Sequence, residues 1–348
     1  MLVFREREFM KFSEEKKTAI KRYILEKVSQ GAPALSRTVA ATFEVNPSTI
    51  HSYINELEKD NIIKKVKRGE YALVCRDFTY ELCRSKGDLE DDTYAFDACL
   101  KVHIKEFETN VQNIWDYVLS EMVNNVMDHS MAENLHVTVS QDFLTTRVIL
   151  YDDGVGIFRK IMEHFGFSTA DEAICELFKG KLTTDPRNHS GEGIFFSSKL
   201  MDNFFIVSDG KIFTSNKYDD SRIFDLMTEA KKGTCIIMEL SNFSRKTPKD
   251  IFDTYANVDG GFIRTKIPLK NMFDSAPVSR SQAKRVCNRL EKFQEVVVDF
   301  DEIDWVGQGF AHQLFVNFQN AHPDIRILPE NMNDDVAKMY HHVTGTSS

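Results

Sequence analysis

The chain has 348 residues, of which 42% are hydrophobic and 28% are charged, and its formal net charge is -9. This length predicts two or three domains, each large enough to bury a core. No apolar run approaches the roughly 20 residues that span a bilayer, and the N-terminal residues are charged where a secretory signal needs an apolar stretch. We therefore expect a cytoplasmic protein without a membrane segment.

The six cysteines are scattered along the chain without a Cys-x-x-Cys pair or neighbouring ligand histidines. This spacing argues against a zinc cluster and against a disulfide framework, and it favours reduced, mostly buried thiols. The charge is also uneven, because residues 1–76 carry 15 Lys and Arg against 10 Asp and Glu, whereas the remainder carries a net -14. Only the N-terminal part is charged like a nucleic-acid-binding domain.

The N-terminal residues predict three helices and a hairpin. A helix over 14–29 places Ile20, Ile24 and Val28 on one stripe, and a short helix follows over 36–43. Asn46 is a suitable N-cap for a third helix, Pro47–Lys59. Two strands then flank a basic Lys-Arg-Gly turn.

This order resembles the winged helix-turn-helix family over about residues 14–74. The resemblance implies that the third helix enters the major groove of double-stranded DNA and that the hairpin, or wing, touches the phosphates. The base-contacting candidates are Ser48, Thr49, His51 and Ser52, and the phosphate-contacting candidates are Lys64, Lys65, Lys67 and Arg68. An excess charge of +5 is modest for DNA affinity, so a winged helix used for protein contacts or for homodimerisation stays open.

The rest of the chain predicts two further domains. Helical patterns alternate with strands up to about residue 244, which indicates an α/β sandwich, and residues 76–92 form either a linker or a peripheral first strand. From about residue 259 a small alternating β/α unit begins. We therefore predict a multidomain α/β protein with domains at 1–75, 76–250 and 251–348.

Four motifs of the central region carry polar or glycine residues suited to a ligand. The predicted helix 113–130 places Glu121, Asn125 and His129 on one face, where their oxygen and nitrogen atoms could order a metal ion and phosphate oxygens. A buried strand leads into Asp152, Gly154 and Gly156, whose missing β-carbons allow close approach of a ligand to the backbone. Gly191 and Gly193 lead into a helix N-terminus, which offers free amides to phosphates. Gly233 and Thr234 open a further strand.

This ordered set of motifs resembles the GHKL superfamily of ATP-binding proteins, which have the Bergerat fold, over about residues 100–241. The resemblance implies ATP and Mg²⁺ as ligands, with Asn125 binding the metal and Asp152 accepting a hydrogen bond from the adenine amino group. It implies that Glu121 is the general base. The remaining implied nucleotide contacts are His129, Gly154, Gly156, Gly191, Gly193 and Thr234.

Two departures leave the chemistry open. Asp128 stands where kinase members often carry a lysine, and Phe195 replaces a further glycine, so slow turnover and binding without turnover both fit. The polar segment before Gly191 is expected to be a lid over the nucleotide, and its γ-phosphate candidates are Lys179, Lys181, Arg187 and His189, of which Lys181 is retained as a predicted ligand.

The C-terminal unit resembles the STAS-like domains that some bacterial GHKL proteins carry, in its topology and in its SRSQA, FDEIDWVGQGF and HPDIRILPEN phrases. Its turn at residues 305–309 lacks the hydroxyl that is phosphorylated in anti-sigma antagonists, so self-phosphorylation there is not expected. The domain is expected to dock on the ATP-binding domain or on a partner protein, or to be a stabilising appendage.

The domain content predicts an ATP-responsive, DNA-binding regulator. Two alternatives stay open. The first is a GHKL ATPase or serine/threonine kinase that acts on a partner protein, and the second is a nucleotide-gated module that binds protein through its winged helix.

Overall fold

The computed structural model describes residues 2–183, 191–214, 216, 232–257, 261–273 and 275–345, and it describes side chains from residue 14 onward. The chain divides into two compact units. The first contains Met1–Phe78 and Val139–Arg147, and the second contains Thr79–Thr138 and Val148–Ser348. The predicted second and third domains thus lie largely within one compact unit.

The first unit contains three helices and a hairpin, in the predicted order. Its elements are α1 (Leu2–Ser29), α2 (Leu35–Phe43), α3 (Pro47–Lys59), β1 (Ile63–Lys67) and β2 (Glu70–Leu73), and the two strands are antiparallel. The prediction that the first helix starts at residue 14 was wrong. Because residues 2–29 contain neither Gly nor Pro, nothing in the sequence ends the helix upstream.

The third helix confirms its predicted start and its predicted buried face. The Asn46 side chain accepts a hydrogen bond from the Ser48 backbone N–H at 2.9 Å, and Pro47 occupies the first turn. The side chains of Ile50, Ile54 and Leu57 are almost completely buried in the core of the unit. The polar residues between them therefore lie on the opposite side of the helix.

A six-stranded sheet has the strand order β3-β4-β5-β8-β6-β7. The strands are β3 (Arg76–Cys83), β4 (Asn134–Gln141), β5 (Thr145–Asp152), β6 (Asn203–Ser208), β7 (Lys211–Phe213) and β8 (Thr234–Ser241). The five strands predicted between residues 136 and 240 are confirmed. Residues 76–92, for which the sequence left a linker or a strand open, contain the edge strand β3.

The second unit also contains helices. They are α4 (Asp92–Cys99), α5 (Lys101–Ile104), α6 (Thr109–Asn125), α7 (Ile157–Phe165), α8 (Ala170–Lys179), α9 (Gly193–Leu200) and α10 (Pro248–Tyr255). The predicted apolar stripe of α6 is confirmed, since Trp115, Leu119 and Met122 are fully buried. The helix begins at Thr109, four residues before its predicted start, and its last predicted turn, Val126–Ser130, is π-helical.

The C-terminal region contains three parallel strands in the order β11-β10-β9, which are β9 (Arg264–Pro268), β10 (Glu295–Asp299) and β11 (Arg326–Glu330). Its helices are α11 (Leu269–Met272), α12 (Arg280–Cys287), α13 (Gln308–His312, continued by a π-helical segment) and α14 (Asp334–Thr344). The predicted β/α alternation is therefore confirmed. A capping box of Ser279 and Gln282 fixes the start of α12.

The cysteines are all free, and five of the six are buried, with Cys75 exposed. Within the described part of the chain, none of the helices combines the length and the apolarity needed to cross a membrane.

Candidate functional site

A cavity of about 270 Å³ in the second unit is lined by residues from α6, from the loop after β5 and from the start of α9. Its volume is close to the lower end, about 300 Å³, of pockets that hold small ligands. Eight of the ten residues predicted to form a nucleotide site line it: Glu121, Asn125, His129, Asp152, Gly156, Gly191, Gly193 and Thr234. Residues that are far apart in the sequence thus line one cavity.

One wall of the cavity is formed by α6 and the π-helical turn that follows it. Glu121 and Asn125 lie one α-helical turn apart, so both reach the cavity. The π-helical turn then brings His129 to the lining, whereas Asp128 is not among the lining residues. This wall therefore presents a carboxylate, an amide and an imidazole.

Arg84 holds the end of this wall in its π-helical form. Its guanidinium donates hydrogen bonds to the carbonyl oxygens of Ala132 at 2.8 Å, Met127 at 3.1 Å and Val126 at 3.3 Å. Carbonyl groups at a helix end lack partners within the helix, and a cation there is favourable. No local sequence signal indicates this contact, because Arg84 is 42 or more residues away from its partners.

The start of α9 lies directly against Glu121. A β-carbon at Gly193 would overlap the Glu121 carboxylate, so a larger residue there would require the Glu121 side chain to move. The amides at the first turn of α9 and the Glu121 carboxylate consequently border the same part of the cavity. Phosphate binding by these amides stays a prediction.

Asp152 forms the buried polar floor at the end of β5. Its side chain is 3% exposed, and Oδ1 accepts a hydrogen bond from the Gly154 N–H at 2.9 Å. Burial raises the pKa of Asp152 to about 6, and hydrogen bonds from Gly154 and Thr234 partly oppose that rise. A buried carboxylate at a cavity wall favours a ligand that donates a hydrogen bond to it.

Thr234 connects Asp152 to the start of α7. Its hydroxyl oxygen accepts a hydrogen bond from the Ile157 N–H at 3.0 Å, and its side chain and backbone both hydrogen-bond to Asp152. The predicted pairing of these two residues in one site is therefore present in the structure.

Gly154 does not line the cavity, which differs from its predicted place in the base pocket. A β-carbon at Gly154 would collide with the Ser130 carbonyl oxygen, and the Gly154 amide binds Asp152. Its position is thus behind the carboxylate that it orients. The second glycine of the motif, Gly156, lines the cavity with a φ of 86°, a conformation that favours glycine.

Lys160 is a lining residue that no sequence motif predicted. Its ammonium group donates a hydrogen bond to the His129 carbonyl oxygen at 2.6 Å. Burial lowers the pKa of Lys160, and the nearby Asp128 carboxylate opposes that effect. Among the described residues that line the cavity, Lys160 is the one lysine, and no arginine lines it.

Lys181 does not line the cavity, contrary to its predicted role as a γ-phosphate ligand. Its ammonium group donates a hydrogen bond to the Lys292 carbonyl oxygen at 3.0 Å and lies over the ring of Phe293. Its neighbours Gly180, Leu182 and Thr183 do line the cavity. The other lid candidates, Arg187 and His189, lie outside the described residues.

Part of the cavity has an apolar lining, which favours a ligand that has an apolar surface. Its aliphatic and aromatic lining residues are Val126, Val155, Ile157, Ile161, Leu177, Leu182, Ile194, Phe195 and Ile236. Most ligand pockets combine such a lining with a few placed polar groups.

A second candidate surface lies in the first unit. Of the predicted base-contacting residues of α3, Ser48, His51 and Ser52 are exposed and Thr49 is half-buried. The Ser48 hydroxyl is hydrogen-bonded to Asn46 at 2.8 Å. The predicted phosphate-contacting residues of the β1-β2 hairpin, Lys64, Lys65, Lys67 and Arg68, are all exposed. Lys67 forms an ion pair with Glu70 at 2.9 Å.

Comparison with known families identifies the C-terminal region. Residues 282–337 match the family described as STAS-like domain of unknown function (DUF4325). The C-terminal region therefore contains a STAS-like domain, as its phrases predicted. Comparison of the chain with curated proteins gave no match. The matched residues do not include those that line the cavity.

Proposed function

We propose that this protein is a cytoplasmic, ATP- and Mg²⁺-binding regulator of the GHKL type, in which nucleotide binding controls a DNA-binding winged helix. The observation that carries the proposal is the convergence of the four ordered motifs on one cavity. Each motif alone is common, but the four meet with a carboxylate, an amide, glycine amides and a threonine in one place.

The floor of the cavity is suited to adenine. Asp152 is buried beside apolar lining residues, and its carboxylate can accept a hydrogen bond from the exocyclic amino group of the base. The isoleucines of α7 and β8 offer flat apolar contact to the ring. Thr234, which already holds Asp152, fixes the direction of that carboxylate.

The wall formed by α6 is suited to a metal–phosphate group. Asn125 supplies an oxygen ligand of the kind that Mg²⁺ prefers, and the metal would neutralise phosphate charge when bound. Glu121, the predicted general base, lines the same cavity. The first amides of α9 and the Lys160 ammonium group add positive potential on the same cavity. The residues present therefore fit a magnesium nucleotide.

DNA binding is assigned to the first unit. Its exposed α3 residues and its basic hairpin provide the two surfaces that a winged helix uses, one for base edges and one for phosphates. The STAS-like domain is assigned the role of a protein contact, either within the chain or with a partner.

One observation favours an enzymatic alternative, an ATPase or a serine/threonine kinase. The Glu121 carboxylate borders both the cavity and the first residue of α9, where it could accept a proton from water or from a substrate hydroxyl. Under this alternative Glu121→Gln abolishes phosphate release or transfer from labelled ATP and retains ATP binding. Unchanged turnover in that variant removes Glu121 as the base.

DNA affinity with and without nucleotide tests the regulatory proposal. Because a ligand shifts an equilibrium only through its different affinity for two states, Mg-ATP must change the affinity for DNA. We expect a change of about fivefold or more in the Kd for a promoter fragment measured by fluorescence anisotropy. Equal Kd values with and without Mg-ATP contradict nucleotide control, and a lack of salt-dependent DNA binding favours the protein-binding module instead.

A further inference from the structure

The segment 179–183 belongs to the cavity and to the STAS-like region at the same time. Gly180, Leu182 and Thr183 line the cavity, whereas the side chains of Lys179 and Lys181 contact residues of the C-terminal region. Gly180 and Lys181 form a turn with positive φ values of 79° and 54°. One side of the turn lines the cavity, and the other side contacts the C-terminal region. A left-handed conformation is uncommon for lysine and persists where surrounding contacts hold it.

Lys179 is a buried cation whose three N–H groups all have acceptors. Its side chain is 1% exposed, and its ammonium group donates to Glu176 Oε1 at 2.7 Å and to the carbonyl oxygens of Arg285 at 2.9 Å and Asn288 at 2.6 Å. The latter two oxygens lie at the end of α12. The Lys179 carbonyl oxygen in turn accepts a hydrogen bond from Thr265 of β9 at 2.8 Å.

Glu176 completes this buried network from α8. Its Oε1 accepts a hydrogen bond from the Asn288 amide at 3.0 Å, and its Oε2 pairs with Arg289 at 3.3 Å. Buried ion pairs whose polar atoms are all satisfied specify one arrangement, and breaking such a pair is costly. The network therefore ties the end of α8 to one position against α12.

Lys181 extends the contact to the residue after the turn. Its ammonium group lies over the rings of Phe262 and Phe293, at 5.4 Å and 5.0 Å from their centroids. The carbonyl oxygen of Lys181 accepts hydrogen bonds from Lys292 at 3.3 Å and from Arg289 at 3.4 Å. Both the side chain and the backbone of Lys181 are thus held by the C-terminal region.

We infer that the C-terminal STAS-like domain supports the wall of the nucleotide cavity, with Lys179 and Lys181 as positioning residues that fix Gly180, Leu182 and Thr183. The inference rests on the proposed function, because the ligand of the cavity is taken to be Mg-ATP. Ligand binding and domain docking then share one segment. Thermodynamic linkage then requires that ligand binding strengthens domain docking by the same factor by which docking strengthens ligand binding.

Hydrogen exchange and calorimetry test this inference on the full chain. Adding Mg-ATP to the wild type is expected to slow amide exchange in residues 288–293, none of which lines the cavity. The variant Lys181→Met keeps the apolar stem against the two rings but loses the hydrogen bond and the charge, and we expect it to bind Mg-ATP about fivefold more weakly or worse.

Lys338→Met is the matched control, because Lys338 lies in the same domain and its exposed side chain pairs only with the neighbouring Asp335. It is expected to retain the wild-type Kd. Protection confined to cavity-lining segments, together with a wild-type Kd in Lys181→Met, overturns the inference and leaves the proposed function intact. A wild-type protein that binds no Mg-ATP removes both.

Discussion

At the scale of single residues, Asp152 is a carboxylate whose burial favours its neutral form. Its pKa is about 6 in the folded protein, against an ordinary value of 3.8. Between these pH values the folded protein retains a proton that the unfolded chain has lost. Asp152 therefore lowers the free energy of unfolding progressively as pH rises from about 4 to about 6, and by a constant amount above that range.

Replacement of this carboxylate by a neutral isostere is expected to stabilise the nucleotide-free protein. The free energy of unfolding of Asp152→Asn should exceed that of the wild type by about 1 kcal/mol at pH 4.5, and this excess should rise to about 3 kcal/mol at pH 7.5. Urea denaturation at the two pH values measures this gain. An equal offset between variant and wild type at both pH values contradicts the account.

The neighbouring Asp153 offers a control of opposite sign. Burial alone would raise its pKa, but hydrogen bonds from Asn134 and from the Glu133 amide outweigh burial and lower the pKa. The ionised form of Asp153 is therefore favourable in the folded state. Asp153→Asn is expected to be less stable than wild type at pH 4.5 and at pH 7.5 alike.

Lys160 is expected to contribute to the binding of phosphates and little to the binding of the base. Its ammonium group uses one N–H on the His129 carbonyl oxygen, and charge-assisted hydrogen bonds are worth about 1.5–3 kcal/mol. Lys160→Met should thus weaken Mg-ATP binding about tenfold or more. Adenosine, which lacks phosphate, should bind equally to both proteins, as measured by titration calorimetry.

The exposed Lys101 provides a matched control for that variant, since it pairs only with Asp97 on a helix surface. Lys101→Met should bind both ligands as the wild type does. An equal loss of affinity for Mg-ATP and adenosine in Lys160→Met would point to a structural role instead.

At the scale of elements, the sequence predicted the helices and hairpin of the first unit, α6, the strands between residues 136 and 240 and the β/α alternation after residue 259, but it did not predict the contacts between elements. Apolar periodicity and capping residues are local signals, which is why α3 and the β/α alternation after residue 259 were predicted correctly. The glycines of the motifs and Asp152 could be predicted to share one site because the order of the four motifs along the chain is specific.

The sequence contains no local signal for contacts that depend on tertiary packing. Lys160 has the pattern of a solvated residue of α7, and only the packing of α7 against the π-helical turn places it at the cavity. Lys181 was assigned to a phosphate because lids are often basic, whereas its left-handed turn directs it to Lys292. Such side-chain directions follow from tertiary structure and not from spacing.

The β1-β2 hairpin is expected to contribute salt-dependent DNA affinity. Each phosphate contact removed lowers the salt dependence of binding by about one unit of the log–log slope. Lys65→Ala and Arg68→Ala should each weaken nonspecific DNA binding and lower the slope, and Lys67→Ala should do so less because Lys67 is paired with Glu70. Fluorescence-anisotropy titrations at salt concentrations from about 50 mM to about 200 mM measure the affinity and the slope.

Lys16 is the control for the hairpin, because it is an exposed lysine of α1 outside the two predicted DNA-contacting surfaces. Lys16→Ala should leave the slope unchanged. A hairpin whose variants all bind DNA like the wild type would favour a protein-binding role for the first unit.

At the scale of the whole molecule, the account depends on a magnesium nucleotide in the cavity of the second unit. Eight of the cavity's lining residues come from four motifs that are far apart in the sequence, and Lys179, next to the lining residue Gly180, donates a hydrogen bond to Asn288 of the STAS-like region. The proposed control of DNA binding, the alternative role of Glu121 as a base and the inferred coupling to the C-terminal domain all require this ligand.

Titration calorimetry with Mg-ATP on wild type and on Asp152→Asn is the most direct measurement of that claim. The account predicts saturable binding to the wild type that Asn125→Ala makes less dependent on magnesium. It predicts that Asp152→Asn, although folded, binds about 100-fold more weakly or not at all. Asparagine has one acceptor oxygen where aspartate has two, and if that oxygen accepts from Gly154 and Thr234, its NH2 group faces the adenine amino group, which is also a donor. Binding of equal strength to Asp152→Asn and wild type, or no heat of binding to the wild type, would contradict it.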